Sequence, residues 1–111
     1  MMNALLNLGA LKHRLLLEQP VESADGAGGV TRSYATVATV WAALTPSAAR
    51  SEVAADALGA EVTHEIVIRF RADVTTRHRL RDGSRIFRIL ALRDQDGNGR
   101  FLSIQAQERV D

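Results

Sequence analysis

Residues 61–71, Glu-Val-Thr-His-Glu-Ile-Val-Ile-Arg-Phe-Arg, alternate between two faces with a period of two. Val62, His64, Ile66, Ile68 and Phe70 fall on one face, and Thr63, Glu65, Val67, Arg69 and Arg71 on the other. A helix would spread these apolar side chains around its axis, whereas a strand gathers them on one side. The segment therefore anchors an all-β reading of the chain.

The remaining segments fit that reading. Residues 12–19 form a first strand that Pro20 ends. Residues 20–30 hold three glycines and an Asp-Gly pair and read as a flexible loop. Residues 31–45, with Thr36, Val37, Thr39, Val40 and Trp41, read as a strand or pair of strands broken by Pro46. Ser47 can cap a helix over 48–58, closed by Gly59. Its alanines favour a helix, but its apolar face is thin, so it needs a neighbouring surface. Residues 77–81 form a short polar strand, and Asp82-Gly83 is a hairpin signal leading into residues 85–92. Residues 94–99 form a further hairpin turn, and residues 101–108 a last strand. The expectation is a mostly β fold: a small antiparallel barrel or sandwich of about six strands, with one short inserted helix and long loops. Residues 1–10 read as an N-terminal arm or short helix. Residues 11–111 read as one domain, with the helical insertion at about 46–60.

A chain of 111 residues, 46% hydrophobic and 24% charged, can bury a core without a metal or a crosslink. With no cysteine, disulfides, thiolate catalysis and cysteine-based zinc sites are excluded. No stretch approaches the roughly 20 apolar residues that span a bilayer, and the apolar opening lacks the positive flank of a signal peptide. The charge is uneven. Residues 69–88 hold seven arginines against Asp73 and Asp82, a net of +5 in a chain whose total is +1. Such a split suits ionic contacts with a partner or between copies of the chain.

Candidates for chemistry are few. His64 and Glu65 are neighbours in a strand and point apart, so they do not converge on a metal or a substrate. His64 shares a face with Ile66 and Ile68 and reads as a partly buried, satisfied histidine. His78 lies among arginines, which disfavours a cation, and His13 has no carboxylate nearer in sequence than Glu18. Asp94-Gln95-Asp96-Gly97-Asn98 has the opening of a calcium loop, but Gln105 stands where the twelfth-position Glu belongs and the flanks read as strands. The glycines of 26–29 match neither phosphate-binding spacing. No serine sits in a nucleophile elbow. The expectation is no enzyme, no metal and no cofactor. Sequence-independent contact of arginines with a DNA backbone stays open, as does a monomeric nucleic-acid-binding barrel of the OB type.

The order of features resembles the phage head–tail joining family, the head-completion or stopper proteins of tailed phages, prophages and phage-like gene transfer agents. Its marks here are the basic, apolar Leu11-Lys12-His13-Arg14-Leu15 leading to Gln19-Pro20, and the loop Asp25-Gly26-Ala27-Gly28-Gly29-Val30. Val40-Trp41-Ala42, residues 62–71, residues 82–89 and a closing hairpin follow in order, so that the resemblance spans about 11–109. It implies a β-barrel subunit in a ring, commonly twelve-fold, around the DNA exit channel at the neck of a particle made in the bacterial cytoplasm. A portal or adaptor ring would lie above and tail proteins below, with double-stranded DNA passing through without sequence recognition and no membrane involved. The loop residues Asp25, Gly26, Gly28, Gly29 and Arg32 become candidates to face the channel. Arg50, Glu52, Asp56, Glu65, Arg69, Arg71, Arg77, Arg79 and Arg81 become candidates for contacts between subunits or rings. The apolar segment 1–10 and the alanine-rich helix depart from the family pattern.

Overall fold

In this computed structural model, residues 11–47 and 61–109 are described. Among them are six strands: β1 (His13–Ala24), β2 (Val30–Pro46), β3 (His64–Arg69), β4 (Arg79–Asp82), β5 (Arg85–Asp94) and β6 (Phe101–Arg109). All pair antiparallel, and they close into a barrel in the order β1-β2-β3-β6-β5-β4. Closure resolves the choice between barrel and sandwich. It comes from a short ladder in which Leu16, Leu17 and Glu18 of β1 meet Arg81, Leu80 and Arg79 of β4.

Alternation sets the core. Leu15, Leu17, Ile66, Ile68, Leu80, Phe87, Ile89 and Ile104 turn inward and are essentially without solvent contact. Each such side chain contributes about 1.5–3 kcal/mol through removal from water. The inward face of β3 is Ile66 and Ile68, as the period of two requires. Its outward Val67 is also buried, in a second small cluster with Leu11 and Phe101. Phe70 follows the strand's end and is 40% exposed, so the expected apolar face stops at Ile68.

Three expectations change. Pro20 does not end β1; the strand continues to Ala24, with Pro20 opposite Tyr34. Beyond Glu18 no described strand pairs with the far edge of β1, and an edge tolerates a residue without an N–H. The loop of 20–30 is accordingly mostly strand, and only 25–29 form its turn. Residues 31–45 belong to one strand, β2, which runs through Pro46 rather than breaking before it. The helix expected within 46–60 and the arm expected at 1–10 fall, apart from Pro46 and Ser47, outside the described residues. At the edge of that gap the amide of Ser47 donates to the carbonyl of Thr63 at 2.8 Å, so the chain leaves and rejoins the barrel at adjacent points of the β2–β3 pair.

The β1–β2 hairpin outruns the barrel. Six cross-strand pairs, from Gln19↔Ala35 to Ala24↔Val30, lie beyond the last β1–β4 contact. At about 3.3 Å per residue they make an arm roughly 20 Å long.

Candidate functional site

The arm is a two-stranded ribbon exposed on both faces. Val21 and Val30 are 39% and 65% exposed, and Val37, close to its base, is 37% exposed. A two-stranded ribbon alone is marginal in water. Here the tip is held by Asp25, whose Oδ1 accepts from the amides of Ala27 at 2.7 Å and Gly29 at 3.0 Å. The amide of Asp25 in turn donates to the Gly29 carbonyl at 3.1 Å. These backbone donors, Ala27 first, hold the Asp25 carboxyl below its ordinary range. Gly28 has φ +88°, a conformation that side chains with a Cβ rarely adopt. A Cβ on Gly29 would stand 2.7 Å from Asp25 Oδ2, so a side chain there would push the capping carboxylate aside.

Along the arm, Arg32 Nη2 donates to Glu22 Oε2 at 2.7 Å, and this lowers the Glu22 pKa. Counting outward from the Asp25–Gly29 turn pairs Glu22 with Arg32, a signal that was present in the sequence. The candidates to face the channel, Asp25, Gly26, Gly28, Gly29 and Arg32, thus share one ribbon, with four at its tip and Arg32 two residues beyond the start of β2.

The arginines of 69–88 divide into two groups. Arg71 forks onto Asp73 through Nε at 3.0 Å and Nη2 at 2.8 Å. Arg85 forks onto Glu108 at 2.8 and 3.1 Å. Arg79 donates from Nε to the buried Glu18 at 2.7 Å, and its guanidinium lies 3.6 Å from the centre of the Tyr34 ring. Arg81 Nε is 3.3 Å from the other oxygen of Glu18. That contact is ionic without hydrogen-bonding geometry, which leaves the buried Nε of Arg81 without an acceptor among the described residues. Arg69, Arg77 and Arg88 are exposed and have no ion-pair partner among the described residues.

Arg77 and Arg88 meet Arg32, Arg79 and Arg109 in a cleft of about 610 Å³ at the base of the arm. Its apolar lining is Pro20, Tyr34 and Ile86, and no carboxylate lines it. Arg79 and Arg88 stand directly opposite each other in the β4–β5 register, a like-charge pair that costs stability unless compensated. Sequence reasoning named Arg32, Arg77 and Arg79 but missed Arg88 and Arg109 as their companions. β4, β5 and the arm come together only through barrel closure.

Other candidates are dispersed. Glu65 accepts from Ser103 Oγ at 2.7 Å on the outer face of the barrel. Arg50, Glu52 and Asp56 lie outside the described residues. His64 packs edge-on against Phe87 at 5.2 Å, hydrogen-bonds with Thr63 Oγ1 at 3.0 Å, and lies 3.9 Å from Glu108. Burial lowers its pKa, against the opposing pull of Glu108. The carboxylate near His64 is therefore Glu108 from β6, not its neighbour Glu65. The Asp94 carboxylate is occupied by the amides of Gly97 and Gly99, at 3.0 and 2.8 Å, in the manner of a turn. Trp41 is 54% exposed, so it and Phe70 lie outside the core that an aromatic residue suggests. Among the described residues no group of three or more His, Asp or Glu side chains could hold a metal, and no helix is long and apolar enough to cross a membrane.

Residues 6–109 match the family described as phage head completion protein. A chain in the virion of a native gene transfer agent particle is 36% identical, with a TM-score of 0.66, over 91% of this chain and 97% of that one. A Shigella flexneri 2a protein solved in solution has a TM-score of 0.70 at 23% identity, over 96% of this chain and 99% of that one, and shows the fold. No curated protein matches the sequence.

Proposed function

The chain belongs to the phage head completion protein family, and from that premise we propose that it is a ring-forming subunit of the head–tail connector. Its place is the neck of a phage or gene transfer agent particle. A portal or adaptor ring lies above it and tail proteins lie below, and the ring surrounds the channel through which DNA leaves. The ring is dodecameric, retains the packaged DNA and docks the tail. The 36% identity to a chain of a gene transfer agent virion supports a structural role in such a particle.

The observation that carries the reading is the arm. A barrel needs no exposed ribbon for its own stability, yet this one extends six cross-strand pairs beyond its wall with valines exposed. Unpaired strand edges of that length are a liability, and a neighbour in a ring would cover them. In a ring, the arm either crosses to the next subunit or reaches the channel, where Asp25–Gly29 and Arg32 meet DNA without reading bases. In this reading Arg69, Arg71 and Arg77 make contacts between subunits or rings, which the exposure of Arg69 and Arg77 supports. Arg79 and Arg81 support such a contact indirectly, because Glu18 holds them against the barrel.

Electron cryomicroscopy of particles carrying this chain tests the proposal. The expected result is a ring of barrels directly below the portal or its adaptor; a neck without the chain refutes it. The exposed Trp41 and Phe70 favour a second reading, a monomeric nucleic-acid-binding barrel. Salt-dependent DNA binding by the monomer, without incorporation into particles, selects that reading.

A further inference from the structure

We propose that the cleft lined by Arg32, Arg77, Arg79, Arg88 and Arg109 is a docking site for an acidic, extended segment of a partner protein. The inference goes beyond the connector role and does not depend on where in a particle the chain sits.

Three observations carry it. First, the charge is concentrated and undercompensated. Glu22 and Glu18 engage Arg32 and Arg79 from outside the lining, while Arg77, Arg88 and Arg109 have no ion-pair partner among the described residues. Arg88 stands directly across from Arg79, and Glu18 meets the charge of Arg79 alone, so an anion at Arg88 would ease the like-charge pair. Second, the shape suits a narrow chain. A concavity of about 610 Å³ falls within the range of ligand clefts, and Pro20, Tyr34 and Ile86 give it part of an apolar lining. One face of Tyr34 is already covered by the guanidinium of Arg79, so a nucleobase has no stacking place there. Third, a sheet edge is open beside it. β4 covers β1 only as far as Glu18; from there to Ala24 β1 is paired with β2 alone, and its other edge has no partner among the described strands. An extended segment can lie along this edge while its carboxylates reach the guanidinium forks, the bidentate geometry that arginine suits better than lysine.

The test uses the full-length chain and fluorescein-labelled hexaglutamate, read by fluorescence anisotropy at low and physiological salt. Saturable binding is expected, weakened about tenfold or more by Arg88→Glu and by Arg109→Glu. Arg93→Glu, an exposed arginine outside the cleft with the same change in net charge, should leave the affinity unchanged. Circular dichroism melts confirm that each variant folds, and Arg77→Glu in the exposed 75–78 turn replaces any that does not. Three results overturn the proposal: no saturable binding of the peptide, equal weakening by Arg93→Glu, or tighter binding of a charge-matched DNA duplex that the same cleft variants abolish. A failed peptide experiment leaves the connector reading standing, since that is decided by the position of the chain in particles.

Discussion

Arg79 reaches back across the barrel seam to donate to Glu18 at 2.7 Å, closing an interaction between residues 61 positions apart. Glu18 is the buried carboxylate of the described residues, and it also faces Arg81 at 3.3 Å. It sits where the arm leaves the wall, so it ties the base of the arm to β4. Removing it leaves two guanidinium groups packed against the seam without their counter-charge. Glu18→Ala should therefore destabilise the fold by roughly 3 kcal/mol, as loss of one member of a largely buried pair does. Urea unfolding of Glu18→Ala beside Glu22→Ala checks this. The exposed Glu22–Arg32 pair of the arm should contribute no measurable shift in midpoint. Equal midpoints for the two variants would show that the seam does not depend on Glu18.

The turn at the end of the arm depends on one carboxylate. Asp25 gathers the amides of Ala27 and Gly29, beside one backbone bond from its own amide to the Gly29 carbonyl. Asp25→Ala should speed hydrogen exchange at those two amides while leaving exchange in β3 and β6 unchanged. Gly29→Ala should have the same local effect by a different route, since its methyl group displaces the Asp25 carboxylate. Unaltered exchange at Ala27 in both variants would mean that the tip is held by its backbone alone.

Period-two alternation made β3, β5 and β6 legible in the sequence, because each has a buried face that the pattern must serve. Asp82-Gly83 and the 94–99 cluster marked their turns for the same local reason. The arm was not legible. Between Pro20 and Tyr34 both faces meet solvent, so no alternation is imposed, and its proline and glycines are the residues that usually mark a loop. The basic cleft was half legible. Composition showed an arginine-rich stretch, but which arginines are neutralised is decided by strands distant in sequence: β1 supplies Glu18 to Arg79, and β6 supplies Glu108 to Arg85. Arg79→Glu is for that reason a poor test of an assembly surface, because it also breaks the seam; Arg77→Glu changes the surface alone. Phe70 was misread for a related reason: alternation put it on the apolar face with Ile66 and Ile68, but β3 ends at Arg69 and Phe70 lies beyond it, 40% exposed.

His64 gives the fold a pH dependence. Burial depresses its folded pKa below the ordinary 6.5, so between the two values the unfolded chain binds more protons than the native one. This contribution to stability is fully present above pH 6.5 and is lost as the pH falls toward the folded pKa. Glu108, whose pKa is lowered chiefly by its hydrogen bonds to Arg85, adds a second loss at lower pH, beginning near its ordinary 4.5. Unfolding free energies from pH 8 to pH 5 should therefore decline on the acid side of neutrality. His64→Leu should flatten that decline, whatever it does to stability at pH 8. A decline of the same steepness in His64→Leu would assign the acid sensitivity to other groups.

Val30 separates folding from assembly. It is 65% exposed at the start of β2, opposite Ala24, and belongs to the arm rather than to the core cluster. Val30→Glu should shift stability by no more than about 0.5 kcal/mol, as exposed substitutions generally do. If the arm is the surface by which the subunit joins its neighbours, a charge there is buried without a partner on assembly, and the cost recurs at every copy around a ring. Purified Val30→Glu protein should then melt like the parent chain, while particles made with it should lack the protein at the neck and fail to attach tails. The measurement is the ratio of this chain to capsid protein in purified particles, together with the fraction of tailed particles in micrographs. A normal ratio with normal tails would remove the arm from the interface, and would leave the basic cleft and the outer face around Arg69 as the surfaces on which assembly depends.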